Sequence, residues 1–128
     1  MQLELKYDVE VVFEFNGIRT RPCFDGYRPA HLVKDDYLTT GTHHYYNVDE
    51  VPSNGIAKGT ITFITPEAYP SCLWVGKRIN IQEASTVVGY ATITKILNPI
   101  LDGSPTLYSL DCVGGLASSS KRNLYNAT

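Results

Sequence analysis

Polar and apolar residues alternate from the first positions of the chain. Leu3, Leu5, Tyr7, Val9, Val11, Phe13 and Phe15 are apolar; Gln2, Glu4, Lys6, Asp8, Glu10 and Glu14 are polar. Only Val12 breaks the rhythm. A period of two sends successive side chains to opposite faces, so the pattern predicts a long strand with one buried side. Asn16-Gly17 follows, a pair that tolerates positive φ and suits a tight hairpin with a short return strand. Pro22 in that return lacks an N–H, which predicts an edge or a bend. Asp25 to Pro29 reads as a turn. Strand-like pieces are expected over residues 31–48, broken at Asp35-Asp36 and at Gly41, and a loop over 51–55.

The second half continues in the same way. Residues 56–65 are β-branched, and Thr65-Pro66-Glu67 ends them. Two prolines make 66–72 a loop rather than a helix. A strand is predicted over 74–82, opened by Trp74 and Val75, then a turn at Glu83-Ala84-Ser85. Residues 86–97 form a further strand rich in Thr, Val and Ile, with Gly89 marking a bulge or a close backbone approach. Asn98-Pro99 stops it, and a last strand is expected over 107–113. No window carries a helical period. Many strands at short spacing predict an all-β chain, a small antiparallel barrel or sandwich with few or no helices.

Length and composition narrow this. The 128 residues suit one domain, expected over 1–113 with a tail over 114–128. Net charge is -2, which exerts no general pull on nucleic acid or anionic lipid. Residues 1–50 hold nine acids and five bases, about -4; residues 51–128 hold four acids and six bases, about +2. Cys23, Cys72 and Cys112 are odd in number and lack paired spacing, as expected of reduced, mostly buried thiols in a cytosolic protein. The alternating N-terminus does not read as a signal peptide, and no apolar run approaches the ~20 residues of a membrane helix.

Several residues invite chemistry. His43-His44 suggests a metal, but strand neighbours face opposite ways and cannot both ligate one ion, so a surface histidine pair is expected. No nucleophile elbow occurs, and Cys112 sits among apolar residues, where a thiol is inert. Asp35-Asp36 and Asp49-Glu50 fall in loops without a partner to raise a pKa. No catalytic residue, metal or cofactor is expected. The same loops suit binding. Asp35, Asp36, Asp49 and Glu50 flank His43, His44, Tyr45 and Tyr46, where tyrosines supply contact area and acids steer a basic protein. The alternative places the tyrosines inside a barrel with an acidic rim. Arg19, Arg21, Arg28, Lys77, Arg78 and Lys95 are the candidates for an RNA-binding face.

Two stretches carry a family resemblance. Phe24-Asp25-Gly26-Tyr27-Arg28-Pro29 is followed by Thr40-Gly41-Thr42, and Gly76, Arg78, Ile81, Glu83, Val88, Gly89 and Lys95 recur in order. In this, residues 5–97 resemble the C-terminal β-barrel domain of translational GTPases, closest to the third domain of elongation factor Tu. The resemblance implies a closed antiparallel barrel. Its departures bear on function. No G-x-x-x-x-G-K-[ST] loop is present. Thr20 stands near the place of a histidine that helps the factor hold tRNA. Asp25 replaces a basic residue, Ala84-Ser85-Thr86 replaces an Arg/Gly-rich turn, and residues 98–128 have no counterpart. Losing cations weakens phosphate binding. The function expected is a non-enzymatic, cytoplasmic protein-binding barrel, of the immunity or antitoxin kind that neutralises a basic nuclease toxin. The alternative is an RNA- or tRNA-binding translation accessory.

Overall fold

A computed structural model describes residues 7–104. Among the described residues eight strands form: β1 (Val9–Phe15), β2 (Cys23–Phe24), β3 (Ala30–Lys34), β4 (Tyr37–Tyr45), β5 (Glu50–Val51), β6 (Ile56–Phe63), β7 (Arg78–Glu83) and β8 (Thr86–Ile96). Six of them close into an antiparallel barrel in the order β1-β6-β4-β3-β7-β8, and β2 pairs with β5 as a separate ribbon. The expected all-β closed barrel is therefore present. Its only helical pieces among the described residues are two short 3-10 turns, Pro66–Ala68 and Pro99–Leu101. The predicted strand over 107–113, Cys112 and the tail lie outside the described residues.

Alternation builds the wall. Val9, Val11, Phe13 and Phe15 face inward from β1, and Ile61 and Phe63 from β6. Ile79, Ile81, Ala91 and Ile93 complete the core from β7 and β8. Closure demands tight coiling, and two glycines permit it. A Cβ on Gly89 would lie 2.5 Å from the Glu14 carbonyl oxygen. The β7–β8 register also shifts there, so Gly89 marks both a close approach and a bulge. Gly41 does not interrupt its strand as expected. It lies inside β4, and a Cβ would meet Ile61 at 2.6 Å and the His31 ring at 3.0 Å. The missing side chain is the space that the His31 ring fills.

Two expectations about strand ends change. Asn16-Gly17 turns the chain, with Gly17 at φ +85°, but no β1–β2 hairpin forms. β1 is already paired on both sides, by β6 and β8, so the return segment pairs elsewhere. The strand predicted from Trp74 begins only at Arg78. The Lys77 N–H donates to the Trp74 carbonyl and Gly76 has φ +96°, a type II turn that leaves Trp74 and Val75 exposed.

Each end of the barrel is sealed. At one, the ribbon end, Cys23 and Val51 of the β2–β5 ribbon pack inward. At the other, the plug end, Tyr69 and Leu73 after the first 3-10 turn and Leu101 of the second fill the opening. Asp8 ties the plug end together. Its carboxylate accepts from the Phe63 N–H at 2.7 Å and from Asn98 Nδ2 at 2.8 Å, and its carbonyl accepts from Leu97 and Asn98. No helix among the described residues is long and apolar enough to cross a membrane.

Candidate functional site

β4 separates the expected binding residues by simple alternation. His43 and Tyr45 point inward and are fully buried; His44 and Tyr46 point outward. The expected surface histidine pair is thus half interior, and His43 and Tyr45 cannot touch a partner. Asp35 and Asp36 form the β3–β4 turn at the plug end, while Asp49 and Glu50 lie beyond the other end of β4. At ~3.3 Å per residue, the strand holds the two acid pairs more than about 25 Å apart along its axis. They do not make one surface.

Inside the barrel the two buried histidines form a directed chain. His31 Nε2 lies 2.8 Å from His43 Nε2, His31 Nδ1 lies 3.3 Å from the Thr39 carbonyl, and His43 Nδ1 lies 3.0 Å from the Tyr45 hydroxyl. A carbonyl only accepts, so His31 carries its proton on Nδ1. His31 Nε2 then accepts from His43 Nε2–H, and His43 Nδ1 accepts from Tyr45. Every polar atom of both rings is satisfied with both rings neutral. Burial pushes the His31 pKa down to about 4 and that of His43 well below 6.5. Phe13 packs on His43 with ring centroids 4.3 Å apart. This network is sealed from substrate.

The outward residues define a groove at the ribbon end. Tyr46, Asn47, Val48, Glu50, Pro52, Ile56 and Lys58 line about 400 Å³ of concave surface. Ile56 is 69% exposed and Val48 46%. Phe24, 56% exposed, sits opposite Glu50 across the ribbon and extends the apolar surface. Tyr46 is fixed by donating its hydroxyl to Glu10 at 2.8 Å. His44 stacks on Tyr7 and lies 3.1 Å from Asp25, whose carboxylate also accepts the Tyr45 N–H. Glu50 lines the groove, and Asp49 before it in the chain is exposed. Val48 and Ile56 belong to no motif, and Phe24 enters the sequence reading only through the family resemblance, not as a binding residue. Phe24 alternates with buried Cys23, which is the signal that would have found it.

Of the basic candidates only Lys77 and Arg78 line a common groove, and the six do not form one face. Arg19 donates to Glu83 and to the Pro22 and Arg21 carbonyls, and its guanidinium lies 4.6 Å from the Tyr27 ring centre. The Tyr27 hydroxyl and Arg19 together hold the Glu83 carboxyl below the ordinary range. Lys77 donates to the Val33 and Cys72 carbonyls, each at 2.6 Å, and burial lowers its pKa. Arg78 lies over Tyr90 and 3.5 Å from Glu14. Arg21 and Arg28 are exposed near the ribbon end, whereas Lys95 is exposed at the far end of β8. Cys23 and Cys72 are buried free thiols; burial pushes Cys23 up to about 11 and raises Cys72. No group of three or more His, Cys, Asp or Glu among the described residues is placed to hold a metal. A scan against protein-family models finds no match for the chain, and no curated protein matches it.

Proposed function

We propose that the protein is a non-enzymatic binding module that docks a basic protein on the groove at its ribbon end. One observation carries this reading: Val48 and Ile56 stand exposed together in a concavity that Glu50 also lines, with exposed Phe24 paired to Glu50 across the ribbon and Asp49 next to it in the chain. Apolar anchors inside a polar rim are the anatomy of a protein interface. Acids beside the groove speed the encounter with a cationic partner. The side chains with catalytic potential, His31, His43 and Tyr45, are neutral and buried. That a barrel resembling the elongation factor Tu domain can work alone in this way fits an immunity or antitoxin role toward a basic nuclease. The RNA-binding alternative has less support, because Arg19 and Lys77 spend their donors on the protein itself.

Affinity capture with nuclease-treated lysate of the native source tests the reading. The immobilised chain is expected to retain a basic protein, and Ile56→Arg to lose about tenfold or more of it. Equal capture by the variant, or RNA as the retained species before nuclease treatment, contradicts the proposal.

A further inference from the structure

The plug end carries a second groove of different character. Leu32, Lys34, Pro70, Trp74, Lys77 and Arg78 line about 540 Å³ beside Asp35. The type II turn over residues 74–77 is what opens it, since it lifts Trp74 off the barrel wall and leaves the indole 44% exposed. Three cations meet one acid in the lining, whereas the ribbon-end groove is lined by one of each, Glu50 and Lys58. Their positions are fixed. Lys77 is held by two carbonyls and lies 4.4 Å from the indole centre; Lys34 lies 5.4 Å from the Tyr37 ring and Arg78 3.8 Å from the Tyr90 ring.

We propose that this groove is a second docking site, one that takes an acidic protein segment bearing an aliphatic or aromatic anchor. The anchor packs against Trp74, Pro70 and Leu32, and its flanking carboxylates meet Lys34 and Arg78. Charge complementarity selects the acidic segment. The arrangement favours peptide over nucleic acid. One face of the indole is already covered by the Lys77 ammonium, which hinders base stacking from that side. Asp35 repels a continuous phosphate string but accepts a hydrogen bond from a peptide N–H. The site is separate from the ribbon-end groove, so either can fail without the other.

Trp74 is the chain's single tryptophan, so its emission reports on this groove alone. The probe is an acetylated, amidated Asp-Glu-Leu-Phe-Glu-Asp peptide, titrated into the full chain. A saturable emission change is expected, with none from the matching Lys-Lys-Leu-Phe-Lys-Lys peptide. Lys34→Glu, checked for fold by circular dichroism, is expected to weaken binding about tenfold, and Arg78→Glu to act in the same direction. No saturable response to the acidic peptide overturns the proposal. So does a response to an oligouridylate in its place, or an emission change that follows protein concentration alone, which would mark a second copy as the occupant.

Discussion

His31 and His43 meet by their Nε2 atoms inside an apolar barrel, and a proton added to either ring has nowhere favourable to go. The unfolded chain takes that proton near the ordinary histidine pKa of 6.5, the native His31 only near 4. Stability that is complete above pH 6.5 is therefore lost as pH falls toward 4. His31 alone accounts for roughly 3 kcal/mol of that loss. Urea midpoints at pH 7, 5.5 and 4.5 check it, and a flat profile would contradict the neutral pair. Gly41→Ala tests the same packing. Its methyl must push on Ile61 and His31, with an expected cost of about 2 kcal/mol in denaturant unfolding. The pair was only partly legible in the sequence. Alternation says that His43 and His44 face opposite ways, but not which one faces in. His31 gave no signal, because its burial depends on a glycine ten residues later. Asp25 looked like a lost cation. The structure gives it a local task, accepting the Tyr45 N–H beside His44.

The strands themselves were readable where period two and β-branching coincide. β1, β6 and β8 fall inside the predicted spans, and the turns at Asp35-Asp36 and at residues 84–85 lie where Asp, Ala and Ser interrupt the pattern. Partner choice was not readable. Asn16-Gly17 has hairpin chemistry, yet β1 is saturated by β6 and β8, and long-range pairing overrides the local turn. The start of β7 was misplaced because Trp74 and Val75 have strand propensity, while the glycine two positions later sets a turn. Asp8 reads as one more polar position in an alternating strand. It is instead the buried knot between β1, β6 and the segment after β8. Asp8→Ala removes the acceptor for Phe63 and Asn98 and is expected to destabilise by about 3 kcal/mol. Hydrogen exchange should show the loss first at Phe63, whose N–H loses the carboxylate, while the Leu97 N–H keeps the backbone carbonyl of residue 8. Unchanged protection at Phe63 would contradict its role as a tie between elements.

Closure leaves the barrel no free sheet edge, so its contacts with other molecules fall to its ends and outer wall. The sequence placed all its candidate acids on one surface. The length of β4 divides them, and exposed Val48 and Ile56 belong to no motif. In the docking we propose, acids beside the groove steer the encounter, so association at the ribbon end should slow as ionic strength rises, while dissociation changes little. Stopped-flow kinetics with the captured partner reads this directly, and a salt-independent on-rate would remove the acids from the account.

The most direct measurement is site-specific photo-crosslinking in the native cell. A benzophenone side chain replaces Ile56 in one version of the protein and Tyr90, on another part of the outer wall, in a second. Position 56 is predicted to capture a single basic protein that position 90 does not. RNA adducts at position 56, or the same products from both positions, would contradict docking at the ribbon end.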